Sequence, residues 1–187
     1  TTLFRSKDRS FGSTAISDCK TVVNTLTDAN EVIGSANLSS EQETYLRNTL
    51  VNVVNNVIVP TYTNLANDVE KLESTLLDLN VNTITQSDIN NACQHFKDAR
   101  KHWEQSEAFL GGAASDFDID PTIDSWPLNR TLLHSYFING MSDEALEDQT
   151  ILGFHALEFI LFRNGQPRSV SELQDYDTYK NFTDIKG

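Results

Sequence analysis

SEQETYLRNTLVNVVNNVIVPTYTNLANDVEKLESTLLDL, residues 40–79, is the stretch that decides the fold. Its apolar residues Leu46, Leu50, Val53, Val57, Leu65, Val69, Leu72, Leu76 and Leu79 recur at the three- and four-residue spacing of one face of an α-helix. Ser40 followed by Glu43 reads as a capping box at its start. An unbroken helix here would be about 60 Å long at about 1.5 Å per residue, too long for a compact domain of this size. Pro60, within VIVPTY, is therefore expected to bend it.

A second helix is expected to begin near Ser87 and to carry Ile89, Ala92, Phe96, Ala99, Trp103 and Leu110 on one face until Gly111-Gly112 stops it. SDFDIDPTIDSWPLN (115–129) reads as a loop. A short helix comes next, near Arg130 to Ile138, and a fourth from about Ser142 to Arg163. No stretch alternates as a strand would, so the fold class is all-α, an up-and-down helical bundle. Residues 38–187 form that bundle, and residues 1–37 are an arm in which Ser17 to Ile33 could form a modest helix.

Acidic residues outnumber basic ones 27 to 14, for a formal charge of −13. Phosphate backbones and anionic lipid surfaces are repelled by such a chain, so nucleic acid is excluded as a partner. No run approaches the roughly twenty apolar residues that span a bilayer, and the first residues are too polar for a signal-peptide core. A soluble chain is expected, with a cleaved leader or an N-terminal lipid anchor ahead of Thr1 left open. Cys19 and Cys93 have no metal-type spacing and read as two thiols or a single disulfide.

The chemistry concentrates in GFHALEFILF (153–162), where His155 and Glu158 are three apart and share one helix face. The surrounding helix is apolar nearly all round, which predicts that both are buried; a buried carboxylate must be paired, protonated or bound to a cation. Gly153 costs a helix about 1 kcal/mol relative to Ala, and its usual compensation is the close approach of another backbone. On the second helix, Glu107 falls within about 40° of Trp103 and about 20° of Phe96 at 100° per residue, with Ser106 beside it and Glu104 nearer the edge. Packing of the second helix on the fourth would bring Glu107 toward His155 and Glu158, a donor set suited to iron, manganese or zinc. The alternative is a structural hydrogen-bonded His–Glu pair.

Stricter templates fail. No second histidine completes the zinc-protease His-Glu-x-x-His, and the ferritin-type Glu-x-x-His is reversed here and occurs once. Asp116, Asp118 and Asp120 do not make a calcium loop, because Pro121 and Pro127 stand where glycine and glutamate are needed; capping and turn roles are expected instead. Trp126-Pro127 is expected to wedge the loop into the end of the bundle.

WEQSEAF (103–109), IDSWPLN (123–129) and GFHALEF (153–159), in that order, resemble the imelysin family, and VIVPTYTNLA (57–66) is similar to its first helix. The resemblance spans roughly residues 40–170. It implies a fold of two related helical bundles, an extracytoplasmic bacterial location in the periplasm or at the outer membrane, often as a lipoprotein, and a Gly-x-His-x-x-Glu signature that falls on Gly153, His155 and Glu158. The family's Trp and Ser-Glu pair fall on Trp103, Ser106 and Glu107, and its Trp-Pro on Trp126 and Pro127. Members have been classed as metallopeptidases, and others are associated with iron uptake. Two departures stand out: the chain stops at Gly187, before a second helical half, and Asn129 occupies a position where many relatives carry an acidic residue.

The resulting expectation is the first half of an imelysin-type protein that binds a metal ion, iron or zinc, and is not itself a catalyst. His155, Glu158 and Glu107 are the expected ligands, supported by Gly153, Ser106, Trp103, Trp126 and Glu104. Expected partners are the metal ion or a small ligand, the second helical half, and a membrane reached through a lipid outside this chain. Two alternatives accompany this reading: a metallopeptidase, and a helical peptide- or ligand-binding module with a structural His–Glu pair.

Overall fold

Ser39, one residue earlier than expected, caps the first helix. Its hydroxyl accepts the Gln42 N–H at 3.3 Å while the Gln42 side chain accepts the Ser39 N–H at 3.0 Å. The computed structural model describes residues 38–80, 82–111, 113–116, 118–139 and 148–174. The helix expected within the first 37 residues, and Cys19, lie outside them.

Helix α1 (Ser40–Val53) runs into a π-helical turn, Val54–Ile58, and then into α2 (Val59–Leu77). Where a bend at Pro60 was expected, a π-helical turn ends two residues before it, and Pro60 lies in the first turn of α2. Proline lacks an N–H and its ring crowds the carbonyl four residues back, and the wider π register, in which the Val59 N–H reaches the Val54 carbonyl, accommodates both. Burial changes at the same point. No residue of α1 is buried, whereas Ile58, Tyr62, Leu65, Leu72 and Leu76 are.

Helix α3 (Gln86–Ser106) starts on a capping box between Thr85 and Asp88 and buries Ile89, Ala92, Cys93, Phe96, Ala99, Trp103 and Ser106. This is the expected face, apart from Leu110, which lies beyond the helix and is half-buried. α2 and α3 pack along their length as a helical hairpin, with Tyr62 edge-on to Phe109 at 5.7 Å and Asp68 3.4 Å from His102.

The stretch expected to be a loop holds two short helices, α4 (Ala113–Asp116) and α5 (Ile119–Ile123), the second preceded by Asp118 in the left-handed conformation. Asn129 caps α6 (Arg130–Asn139) by accepting the Leu132 N–H at 3.1 Å. A cap explains an asparagine at that position. The fourth expected helix is shorter: a 3₁₀ turn, Gln149–Ile151, and extended Leu152 precede α7 (Gly153–Leu161). Residues 142–147 of that expectation lie outside the described ones.

After α7, Phe162–Arg163 (β1) pairs antiparallel with Gln166–Pro167 (β2) around Asn164-Gly165, both at positive φ, and α8 (Val170–Gln174) comes next. This hairpin was not expected from the sequence, although Asn-Gly is the strongest two-residue hairpin signal. Arg168, fully buried, closes the end of α7: its guanidinium donates to the Phe159 carbonyl at 3.0 and 3.3 Å, and its backbone N–H donates to Leu161 at 2.9 Å. These are carbonyls that a helix end leaves without a partner, and a cation also suits the negative end of the helix dipole. The fold class is all-α, as expected. One core lies between α2, α3 and the inner face of α7, and a smaller one unites Leu133, Phe137, Ile151 and Phe159.

Candidate functional site

Gly153 sits at φ +83°, and a Cβ built on it would lie 2.3 Å from the Ile123 carbonyl oxygen. Only glycine lets α7 begin in that conformation against the end of α5, the close backbone approach the sequence predicted. The contact also brings together the neighbours of these two residues: Asp124 comes one residue after Ile123, and His155 two residues after Gly153. Their side chains meet, His155 Nε2 lying 3.2 Å from Asp124 Oδ1.

Asp124 is the hub of the site. Its side chain is 10% exposed, Oδ2 accepts the Trp103 indole N–H at 2.8 Å, and Oδ1 also accepts from the Arg100 guanidinium. Arg100 bridges to Glu104 at 2.6 Å and lies over the Phe154 ring. Burial works against the Arg100 charge, but hydrogen bonding and attraction to Asp124 and Glu104 outweigh it and raise its pKa. Neither Asp124 nor Arg100 was singled out from sequence. Arg100 could have been, because it stands three residues before Trp103 on the same helix side and a charge there needs a partner; Asp124 lies between helices, where no periodicity marks it.

The second ring nitrogen of His155, Nδ1, faces Glu158 Oε2 at 3.7 Å, and the Trp126 ring lies 4.7 Å from the imidazole. Expected burial is corrected here. The His155 side chain is 21% exposed and that of Glu158 59%, because α7 turns Phe154, Ala156, Phe159 and Leu161 inward and leaves this pair on its outer face. Trp126 is corrected too: at 67% exposed it does not wedge into the bundle but flanks His155 at the surface.

Of the remaining expected residues, Trp103 is fully buried and holds Asp124, while Ser106 is buried and donates to the Trp103 carbonyl at 2.7 Å, a helix-end role. Glu104 is tied to Arg100. Glu107 is exposed at the start of the 3₁₀ turn Glu107–Phe109, past the end of α3, and does not lie on the buried face predicted for it. Desolvation raises its pKa, as does repulsion from Asp120, Glu104 and Asp124. Among the described residues no group of three His, Cys, Asp or Glu side chains could hold a metal ion. The expected set of His155, Glu158 and Glu107 is thus not assembled.

The His155–Glu158 pair opens on a cavity of about 550 Å³, whose lining also includes Lys97, Trp126, Arg130 and Phe162. Two donors each about 2.1 Å from one ion lie at most about 4.2 Å apart, so Nδ1 and Oε2 are spaced to share a cation. A carboxylate behind the other imidazole nitrogen is the support that metal-binding histidines use. No described helix is long and apolar enough to cross a membrane.

The family model described as Imelysin matches residues 58–185. Iron-regulated protein A of Synechococcus elongatus is 33% identical over 119 residues, covering 64% of this chain and 32% of that protein. The crystal structure of an imelysin peptidase from Bacteroides ovatus is 34% identical with a TM-score of 0.57, over 64% of this chain and 37% of that one. That of a protein described as an iron-regulated protein A precursor from Parabacteroides distasonis is 29% identical with a TM-score of 0.56, over 66% and 36%. The matched part spans about a third of the length of each of these relatives.

Proposed function

This chain belongs to the imelysin family, and from that premise we propose that it is an iron-related, extracytoplasmic binding protein whose metal-facing groups are His155 Nδ1 and Glu158. One observation carries the reading: the two donors face each other at 3.7 Å while Asp124 holds the far side of the imidazole. In this role Asp124 accepts the Nε2 proton, fixes the tautomer that leaves Nδ1 with a lone pair, and keeps the ring aimed at Glu158. The names of the relatives, iron-regulated and precursor, support iron and a location outside the cytoplasm.

Binding is favoured over peptide hydrolysis by donor count. A catalytic zinc takes about three protein ligands, keeps one position open and needs a spare base; the described residues offer His155 and Glu158 for all of these tasks. The test is calorimetric titration of the chelator-stripped chain with iron(II), under nitrogen, and with zinc, beside His155→Ala and Glu158→Ala. Binding that both substitutions abolish, with the helical circular dichroism unchanged, is the expected result. Binding that neither substitution alters would place the ion elsewhere, and metal-dependent cleavage of an unfolded protein substrate would restore the peptidase reading.

A further inference from the structure

Helix α1 and the π-helical turn after it present an apolar stripe to their surroundings. Leu46, Leu50, Val53 and Val57 are exposed, although they stand in steps of four, three and four, the spacing of a helix face that packs on a partner. At its start the stripe runs from Leu46 into a groove of about 450 Å³ that Leu38, Gln42 and Tyr45 also line. Ser39 marks where the chain arrives. As the helix cap it is extended, at φ −68° and ψ 156°, so the segment before it does not continue α1 and must turn.

The sequence just ahead carries a matching pattern. Ile16, Cys19, Val23, Leu26 and Ile33 lie in steps of three, four, three and seven, a heptad stripe, while Ser17, Thr21, Asn24 and Asp28 fall on the opposite side at 100° per residue. Gly34 follows Ile33 as a helix-ending residue would, and residues 34–39 make a connection of six, within the range that joins antiparallel helices. We propose that residues 16–33 fold back on α1 as the second helix of an antiparallel hairpin, their stripe covering that of α1. Folding about this connection sets Leu26 opposite Leu46, Val23 opposite Leu50, Cys19 opposite Val53 and Ile16 opposite Val57. A step of three on one helix meets a step of four on the other, so the pairs stay level along the seam. Other occupants are less suited. The polar side of α1 carries Glu41 and Glu43 against Arg47, which is tied to Glu43 at 3.0 Å, and so does not attract an anionic membrane. A second copy of the chain has to be met in solution, whereas a segment tethered by six residues meets the stripe at an effective concentration on the order of millimolar. A hairpin of about 40 residues is marginal on its own, so this one opens as a unit before the core does, and its signature is local.

Cys19 is a natural probe of the register. In the full 187-residue chain, Val53→Cys places a thiol opposite Cys19, and Val51→Cys places a similarly exposed one on the side of α1 away from the seam. Both replace exposed side chains, which keeps the fold, and Cys93 is buried. Mild oxidation with glutathione disulfide is expected to bridge positions 19 and 53 within one chain, as read by peptide mapping, at least about tenfold faster than positions 19 and 51. Leu26→Gln added to Val53→Cys is expected to remove most of that advantage. Equal rates at positions 53 and 51 overturn the proposal, since an arm that does not dock reaches either. So does a bridge whose rate Leu26→Gln leaves unchanged. Disulfide-linked dimers that form faster at higher protein concentration overturn it too, and identify a second copy as the occupant.

Discussion

Alanine at position 153 would place a methyl group 2.3 Å from the Ile123 carbonyl oxygen in a backbone conformation that L residues rarely adopt. Positive φ alone costs about 1–2 kcal/mol, and relieving the clash must shift either the start of α7 or the end of α5. We expect Gly153→Ala to destabilise the chain by at least about 3 kcal/mol in urea unfolding and to weaken metal binding even where the protein is folded, because the shift separates His155 from Asp124. Asp124 supplies the second test at this scale. Removing it leaves the partly buried Trp103 indole N–H without its acceptor and the Arg100 guanidinium with Glu104 alone, so Asp124→Ala should cost about 2–4 kcal/mol. His155→Ala, which leaves Asp124 its other two donors, should cost under about 1.5 kcal/mol. Equal costs for the two would make Asp124 a passive neighbour rather than the hub.

Elements differ in how far their sequences announce them. The buried face of α3 is readable from Ile89 through Trp103 because a helix packed on one side imposes a 3.6-residue period. α7 is readable as apolar but not as starting at Gly153: that start depends on Ile123, thirty residues earlier, and no local pattern encodes a contact with a distant carbonyl. Extending the period of α3 beyond Ser106 puts Glu107 on the buried face, but the 3₁₀ turn there rotates it away. α8 gives a prediction of its own. Ser169 and Glu172 form a capping box at 2.8 and 3.3 Å, and Arg163 adds an ion pair, so Ser169 backbone bonding first and Arg163 next hold the Glu172 carboxyl below its usual range, against desolvation. A depressed carboxylate pKa contributes stability that is full above the unfolded value, about 4.3, and is lost as pH falls through the folded one. Glu172→Gln should therefore cost about 0.5–1.5 kcal/mol at pH 7, and the difference from the native chain should shrink toward zero as acid protonates Glu172. Urea midpoints measured across that range decide it.

At the scale of the molecule, stability is distributed along one gradient. Trp103, Ile89, Ala92 and Ala99 of α3 are fully buried, while α1 has no buried residue and the stripe of Leu46, Leu50, Val53 and Val57, running from α1 into the π-helical turn, is 37–48% exposed. An isolated helix of this length is marginal in water, so α1 is held by continuity with α2 and by local terms, the Ser39 box and the Glu43–Arg47 pair at 3.0 Å. Its apolar stripe has the period of a core face, but periodicity reports which residues share a face and not whether anything covers it. Hydrogen exchange should register the gradient. Amides of α1 should open with little free energy, well before the unfolding of the whole, whereas those of α3 between Ile89 and Trp103 should exchange only through global unfolding. Polar replacement should separate the ends in the same way: Leu50→Gln should change the unfolding free energy by less than about 0.5 kcal/mol, and Leu72→Ala, at a site 2% exposed, should cost about 2–5 kcal/mol. Protection of α1 equal to that of α3 would mean that the exposed stripe is covered in solution, and loss of that protection in Leu50→Gln would identify the stripe itself as the covered surface.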